Sequence, residues 1–180
     1  LFRSQEVEVF LEAFKSFVDK FKEKLIIKLK FPGLKVDSLQ SARVESLIVG
    51  YESFVEITSR VSKKDVIEIQ RRADLLLMLG HTDVVGNFSS KIFEYLACRR
   101  PILLCPSDND VLHLLINVTK SGYICQNKSE ALETLTKLAE EKLQKGILSF
   151  NPDEEEVNRY TRTQQTKSLA QAIVEVCPKS

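Results

Sequence analysis

No apolar run in this chain approaches membrane-spanning length; the run Leu75 to Leu79 stops after five residues and follows Asp74. A transmembrane helix within the chain is thereby excluded. Cysteine and histidine are too scattered for a zinc module. Cys98, Cys105, Cys125 and Cys177 form no C-x-x-C pair, and His81 and His113 fall at no ligand spacing. Cys105 and Cys125 sit at the ends of predicted core strands, where cysteine serves as a small hydrophobe. The thiols are read as reduced and structural, which with the lack of a secretion signal points to the cytosol. An excess of one charge is missing as well. The formal net charge is +1, so there is no basic field for nucleic acid, and any anion site must be local. No G-x-G-x-x-G occurs, which disfavours a dinucleotide-binding oxidoreductase. There is no internal repeat and no low-complexity segment.

What remains is an alternation of short apolar runs and amphipathic stretches. With 180 residues and 43% hydrophobic content, the chain suits one compact domain or one lobe of something larger. Helices are predicted over 6–21, 37–51, 62–72, 89–99, 110–119 and 129–145. Strands are predicted over 25–31, 54–58, 75–79, 102–105 and 123–125. Ser62-Lys63-Lys64-Asp65 is an N-capping pattern. The continuous run Leu75 to Leu79 suits a strand buried on both faces. The expected fold is α/β: a Rossmann-like parallel sheet of about five to six strands with helices on both faces. Residues 1–150 would form this domain and 151–180 a helical tail, broken near Arg162. The chain opens on Leu1 rather than methionine, just ahead of a helix. It reads as a fragment of a longer protein, with a further strand before Leu1.

The stretch Gly86 to Leu104 carries the chemistry. A glycine-and-serine loop opens a helix whose first turn holds Lys91. A cation at the positive end of a helix dipole is poorly placed unless an anion sits beside it. Free N–H groups there, with Ser89, Ser90 and Lys91, make a phosphate site. One turn on, Glu94 shares their face and can accept two hydroxyls of a ribose. Each residue also has a plainer reading. Glu94 can pair with Lys91 on the surface, Lys91 can be solvated, and Ser89 can be the N-cap. Arg99 and Arg100 complement the negative helix end, and Arg71 and Arg72 cap another helix. His81 is either a substrate contact or an incidental loop residue. Phe10, Phe14 and Phe17 are core. The loop 80–90 leaves the end of a buried strand and is long for its kind, which favours function.

Ala73-Asp74-Leu75-Leu76-Leu77, Ser90-Lys91-Ile92-Phe93-Glu94-Tyr95-Leu96-Ala97 and Arg100-Pro101-Ile102-Leu103 together resemble the nucleotide-sugar-binding half of a retaining GT-B glycosyltransferase of group 1. The nearest subgroup builds bacterial capsular, exo- and lipopolysaccharides. The resemblance implies that Glu94, the second glutamate of a Glu-x7-Glu pattern, accepts ribose hydroxyls. It implies that Ser89, Ser90 and Lys91 hold the diphosphate. The loop Ser59-Arg60-Val61-Ser62 matches the segment that contacts the base, and Arg3 a residue that neutralises the diphosphate. The first glutamate of the pattern falls at Gly86, so the usual contact with the transferred sugar is missing; Asp83 is the nearby substitute.

The function so implied is transfer of a sugar from a nucleoside-diphosphate sugar to an acceptor hydroxyl, with no metal or other cofactor. The partners would be the donor, an N-terminal domain of the same protein, and an acceptor glycan or lipid-linked sugar. The location would be cytoplasmic, with peripheral attachment at the inner membrane face. An isolated fragment would be inactive. Two alternatives differ in class. One is a GT-B epimerase using the same donor site. The other is a non-catalytic nucleotide-binding or regulatory α/β module, although the acidic cluster and phosphorylatable aspartate of a receiver are missing.

Overall fold

A computed structural model describes residues 1–81 and 84–176; Asp83 and Cys177, both singled out above, lie outside the described residues. Helices α1 (Val7–Phe21), α2 (Ser38–Leu47), α3 (Lys63–Arg72), α4 (Lys91–Cys98), α5 (Val111–Thr119), α6 (Lys128–Lys145), α7 (Glu154–Arg159) and α8 (Arg162–Val176) alternate with strands β1 (Leu29–Phe31), β2 (Val55–Ile57), β3 (Leu76–Met78), β4 (Ile102–Leu104) and β5 (Gly122–Ile124). Every strand pair is parallel. The fold is the expected Rossmann-like α/β class, but the five strands among the described residues form two sheets, β1-β2 and β3-β4-β5.

Side-chain alternation distributes the strands of the β3-β4-β5 sheet between two cores. Leu103 and Cys105 pack with Phe10, Phe14 and Leu135 of α1 and α6. Met78, Ile102 and Leu104 pack with Ile92, Leu96, Leu112 and Ile116 of α4 and α5 on the other face, where Val157 of α7 joins them. The sequence for α1 explains its place, because phenylalanines and leucine recur along a single stripe. The pairing of β4 with β5 requires Gly122. A Cβ there would lie 1.9 Å from the Ile102 carbonyl oxygen.

Boundaries are shorter than expected where local chemistry ends an element. Helix α2 stops at Leu47, ahead of Gly50 with φ +84°, a left-handed turn that β-branched Ile48 and Val49 cannot carry into helix. Ile26, within the apolar run ahead of β1, is fully in solvent at 99%. The tail breaks between α7 and α8, and no residue of α8 is buried. Cys98, Cys105 and Cys125 are free thiols; burial, with Cys125 alongside, pushes Cys105 up to about 12. No helix among the described residues is long and apolar enough to cross a membrane.

Candidate functional site

Within each sheet the strands run parallel, so their carboxyl ends share an edge. β1 pairs with β2 in one sheet and β3, β4 and β5 form the other, and residues of β1 and β3 line a common cleft between the sheets. Such breaks in strand order, at the switch point, are where α/β sheets bind ligands. A cleft of about 1400 Å³ opens there.

The long loop after β3 is fastened to its neighbour. The Gly80 N–H donates to the Pro106 carbonyl at 2.9 Å, and a Cβ on Gly80 would meet the Asp108 nitrogen at 2.5 Å. Farther along, the Gly86 N–H donates to the Asp110 carboxylate at 2.5 Å, with Gly86 in the left-handed region at φ +74°. These ties fix the approach to α4.

The amino end of α4 is not closed by a side chain. Ser90, rather than Ser89, is the N-cap, and it lies in helical conformation (φ −57°, ψ −22°) with no capping hydrogen bond. The N-caps Asp37, Ser62, Asn127 and Asp153, by contrast, each accept a backbone N–H from their helix. The Ile92 N–H turns back to the Ser89 carbonyl at 3.1 Å, and no side chain caps the other N–H groups of the first turn. Ser89, Ser90, Lys91 and Glu94 all line the cleft, beside His81. Lys91 and Glu94 are exposed, and among the described residues neither enters an ion pair. The surface Lys91–Glu94 pair offered by spacing does not form. Tyr95, beside Glu94, is pushed up to about 12, by burial first and by that carboxylate second.

The remaining candidates lie apart from this group. Arg60 and Val61 occupy the connection after β2, Arg3 is exposed in the N-terminal segment, and none of the three is among the lining residues. His81 is buried; its Nδ1 lies 2.7 Å from the Ser4 hydroxyl, and Phe2 tilts against its ring at 5.5 Å. Arg99 binds the Leu96 carbonyl at the end of α4 and Glu154 at 2.6 Å, while Arg100 donates to the Arg71 carbonyl at 2.7 Å. Both arginines thus close helix ends.

Sequence reasoning missed Asp108-Asn109-Asp110, an Asp-x-Asp spacing. Its carboxylates are engaged in holding backbone. Asp108 accepts the N–H groups of Asp110, Leu112 and His113, and Asp110 accepts that of Gly86. The preceding Pro106-Ser107 and the helix that follows were the available signal for such a turn. No cluster of three or more histidine, cysteine or carboxylate side chains suited to a metal ion occurs among the described residues.

The sequence matches the family described as glycosyl transferases group 1 over residues 1–163. None of the curated proteins matches it. Among solved structures, Anabaena HepE in complex with UDP is similar at TM-score 0.72 and 14% identity, covering 97% of this chain and 46% of that one. Sucrose-phosphate synthase from Thermosynechococcus elongatus is similar at TM-score 0.61 and 12% identity, covering 96% of this chain and 44% of that one. The pneumococcal O-GlcNAc transferase GtfA, solved with UDP and GlcNAc, is similar at TM-score 0.55 and 13% identity, covering 92% and 34%. At these identities the likeness is one of fold, and the fold is that of one half of a GT-B structure. The chain spans less than half the length of each of these solved chains.

Proposed function

The chain belongs to the glycosyl transferases group 1 family, and from that premise we propose that it is the C-terminal, nucleotide-sugar-binding half of a retaining GT-B glycosyltransferase. Its reaction would move a sugar from a nucleoside-diphosphate sugar to an acceptor hydroxyl during assembly of a capsular, exo- or lipopolysaccharide. Residues 1–150 would carry the donor site and 151–180 the tail. One observation supports this most: Lys91 and Glu94, neither of which enters an ion pair among the described residues, line one cleft beside a helix end without a side-chain cap.

The chemical demand is a leaving diphosphate. The amino end of α4 and the Lys91 ammonium would stabilise the charge that develops on it, already oriented before reaction. Glu94 would hold the ribose through two hydroxyl hydrogen bonds, fixing the donor along the helix. The loops carrying Arg60 and Arg3 would approach base and diphosphate when the other half of the protein is present. That half would supply the acceptor, a glycan or a lipid-linked sugar, and with it any general base. The charge stabilisation comes from the chain itself, so donor binding would need no metal, and EDTA would leave it unchanged.

Calorimetric titration with a panel of nucleoside diphosphates tests this reading. The unaltered protein binds at least one of them, and Glu94→Ala weakens that binding by about 1.5–3 kcal/mol, the cost of losing hydrogen bonds to a charged group. Equal affinities would remove Glu94 from the site.

A further inference from the structure

The chain has two histidines, and both place Nδ1 against a serine hydroxyl. His113 meets Ser107 at 3.1 Å and is not among the residues lining the cleft. His81 meets Ser4 at 2.7 Å and lines the cleft beside Ser89, Ser90 and Lys91. Only 8% of His81 is exposed. Its Nε2 takes no hydrogen-bond partner among the described residues. A buried polar atom without a partner is costly, and among the described residues no fully buried side-chain nitrogen or oxygen lacks one. Nε2 is therefore the polar atom of the ring that reaches open space, and the open space at His81 is the cleft.

The serine on the other nitrogen is held from several sides. The Gln5 N–H donates to the Phe2 carbonyl at 3.1 Å, closing a turn over residues 2–5. Gln5 Oε1 accepts the Phe2 N–H at 2.9 Å, and Gln5 Nε2 donates to the Leu79 carbonyl at 2.9 Å, which fastens the turn just past β3. Arg43 of α2 donates to the Gln5 carbonyl at 3.1 Å and grips both carboxylate oxygens of Glu8 in α1. A turn fixed in this way sets the place of Ser4 against the ring. That placement has a chemical consequence. A neutral imidazole carries one N–H, and the hydrogen bond at one nitrogen decides which of the two holds it. A hydroxyl can rotate to donate to Nδ1, which leaves the proton on Nε2, where the cleft is. An anion in the cleft can accept only from that form.

We infer that Ser4 and His81 work as a pair: the Ser4 hydroxyl donates to Nδ1, and the Nε2–H donates to a phosphoryl oxygen of the nucleoside-diphosphate donor. His81 is then a binding residue and Ser4 a positioning residue, acting on the donor through the ring. The inference rests on the donor site proposed above and deepens it. Lys91 supplies charge on a flexible stem, whereas His81 supplies a hydrogen bond of fixed direction. Such a bond strengthens as negative charge builds on the leaving diphosphate.

Calorimetric titration with UDP and with uridine, joined to nitrogen NMR of the two histidine rings, tests it. His81→Phe keeps a ring against Phe2 and removes the N–H. It should weaken UDP binding about tenfold or more and uridine binding less than about twofold. His81→Gln, which restores an N–H at similar reach, should recover part of the loss. Ser4→Ala should weaken UDP binding about threefold to tenfold, by letting the ring's proton move between its nitrogens. In the unaltered protein with UDP bound, the His81 proton should sit on Nε2; in Ser4→Ala the two tautomers should mix, while His113 keeps one spectrum. A His81 proton on Nδ1 alone, with UDP bound to the unaltered protein, would overturn the inference without recourse to any variant. So would unchanged UDP affinity in His81→Phe beside weakened affinity in Glu94→Ala, and the proposed donor site would then stand. UDP affinity unchanged in both variants, or no tighter than that for uridine, would remove the donor site and the inference together.

Discussion

Two helices of this protein begin with the same dipeptide and end up chemically opposite. Helix α3 starts Ser62-Lys63 and α4 starts Ser90-Lys91, and each follows a strand of a parallel sheet. Ser62 is extended (φ −66°, ψ 154°), accepts the Asp65 N–H at 3.2 Å and donates to its carboxylate at 2.6 Å. Ser90 is helical and caps nothing. The difference lies three residues on. Asp65 gives α3 a reciprocal cap and a carboxylate at its positive end. The corresponding residue of α4 is Phe93, which stacks between Phe88 and Tyr160. Helix α3 is thus capped by its own side chains, whereas α4 brings an end without a side-chain cap, and its lysine, to the cleft. A serine–lysine helix start becomes a candidate anion site only when no side chain of its own caps it.

The largest effect bearing on this comparison concerns the scaffold both helices stand on. Gly122→Ala would drive a methyl group into the Ile102 carbonyl. It should cost about 3 kcal/mol or more in denaturant unfolding, the upper range of overpacking. A loss under about 1 kcal/mol would mean that β4 and β5 separate easily, leaving α4 without a rigid base.

Charge reversal separates the two helix starts directly. Lys91→Glu should weaken nucleoside-diphosphate binding about 30-fold or more, through loss of a charge-assisted contact and added repulsion. Lys63→Glu should change it less than about twofold, since α3 already carries its own carboxylate. Equal losses in titration would dissolve the distinction.

The serines should divide the opposite way. Ser62→Ala should lower stability by about 1 kcal/mol, the usual value of an N-cap. Ser90→Ala should leave it within about 0.3 kcal/mol, because no cap is lost. Thermal unfolding of both variants without ligand reads this difference.

The smallest effect measures background electrostatics. Arg43 holds the Glu8 carboxyl below its ordinary range, chiefly by hydrogen bonding. A carboxyl lowered on folding stabilises above its unfolded pKa and loses that contribution as pH falls through its folded value. Glu8→Gln should therefore cost under about 1 kcal/mol at pH 7, and less as the pH drops below 4.

The elements themselves were largely legible, because each is written in local pattern. Ser62 to Asp65 announced α3, Leu75 to Leu79 announced a buried strand, and the tail breaks where Arg162 begins a new helix. What was hidden depends on pairing. Nothing in Leu29 to Phe31 or Leu76 to Met78 states that the two strands are not neighbours, since strand order is a long-range property. The Ser90 cap was misplaced by one residue, because Ser89 and Ser90 are equivalent until backbone angles are known. Asp108-Asn109-Asp110 escaped notice because its role is set by backbone N–H groups that gather only on folding.

The account is tested most directly by titrating the protein and its Glu94→Ala variant with UDP and with 2′,3′-dideoxy-UDP. If Glu94 holds the ribose while α4 holds the diphosphate, removing the two hydroxyls should cost the unaltered protein about tenfold or more in affinity and cost the variant almost nothing. An equal loss in both proteins would contradict it.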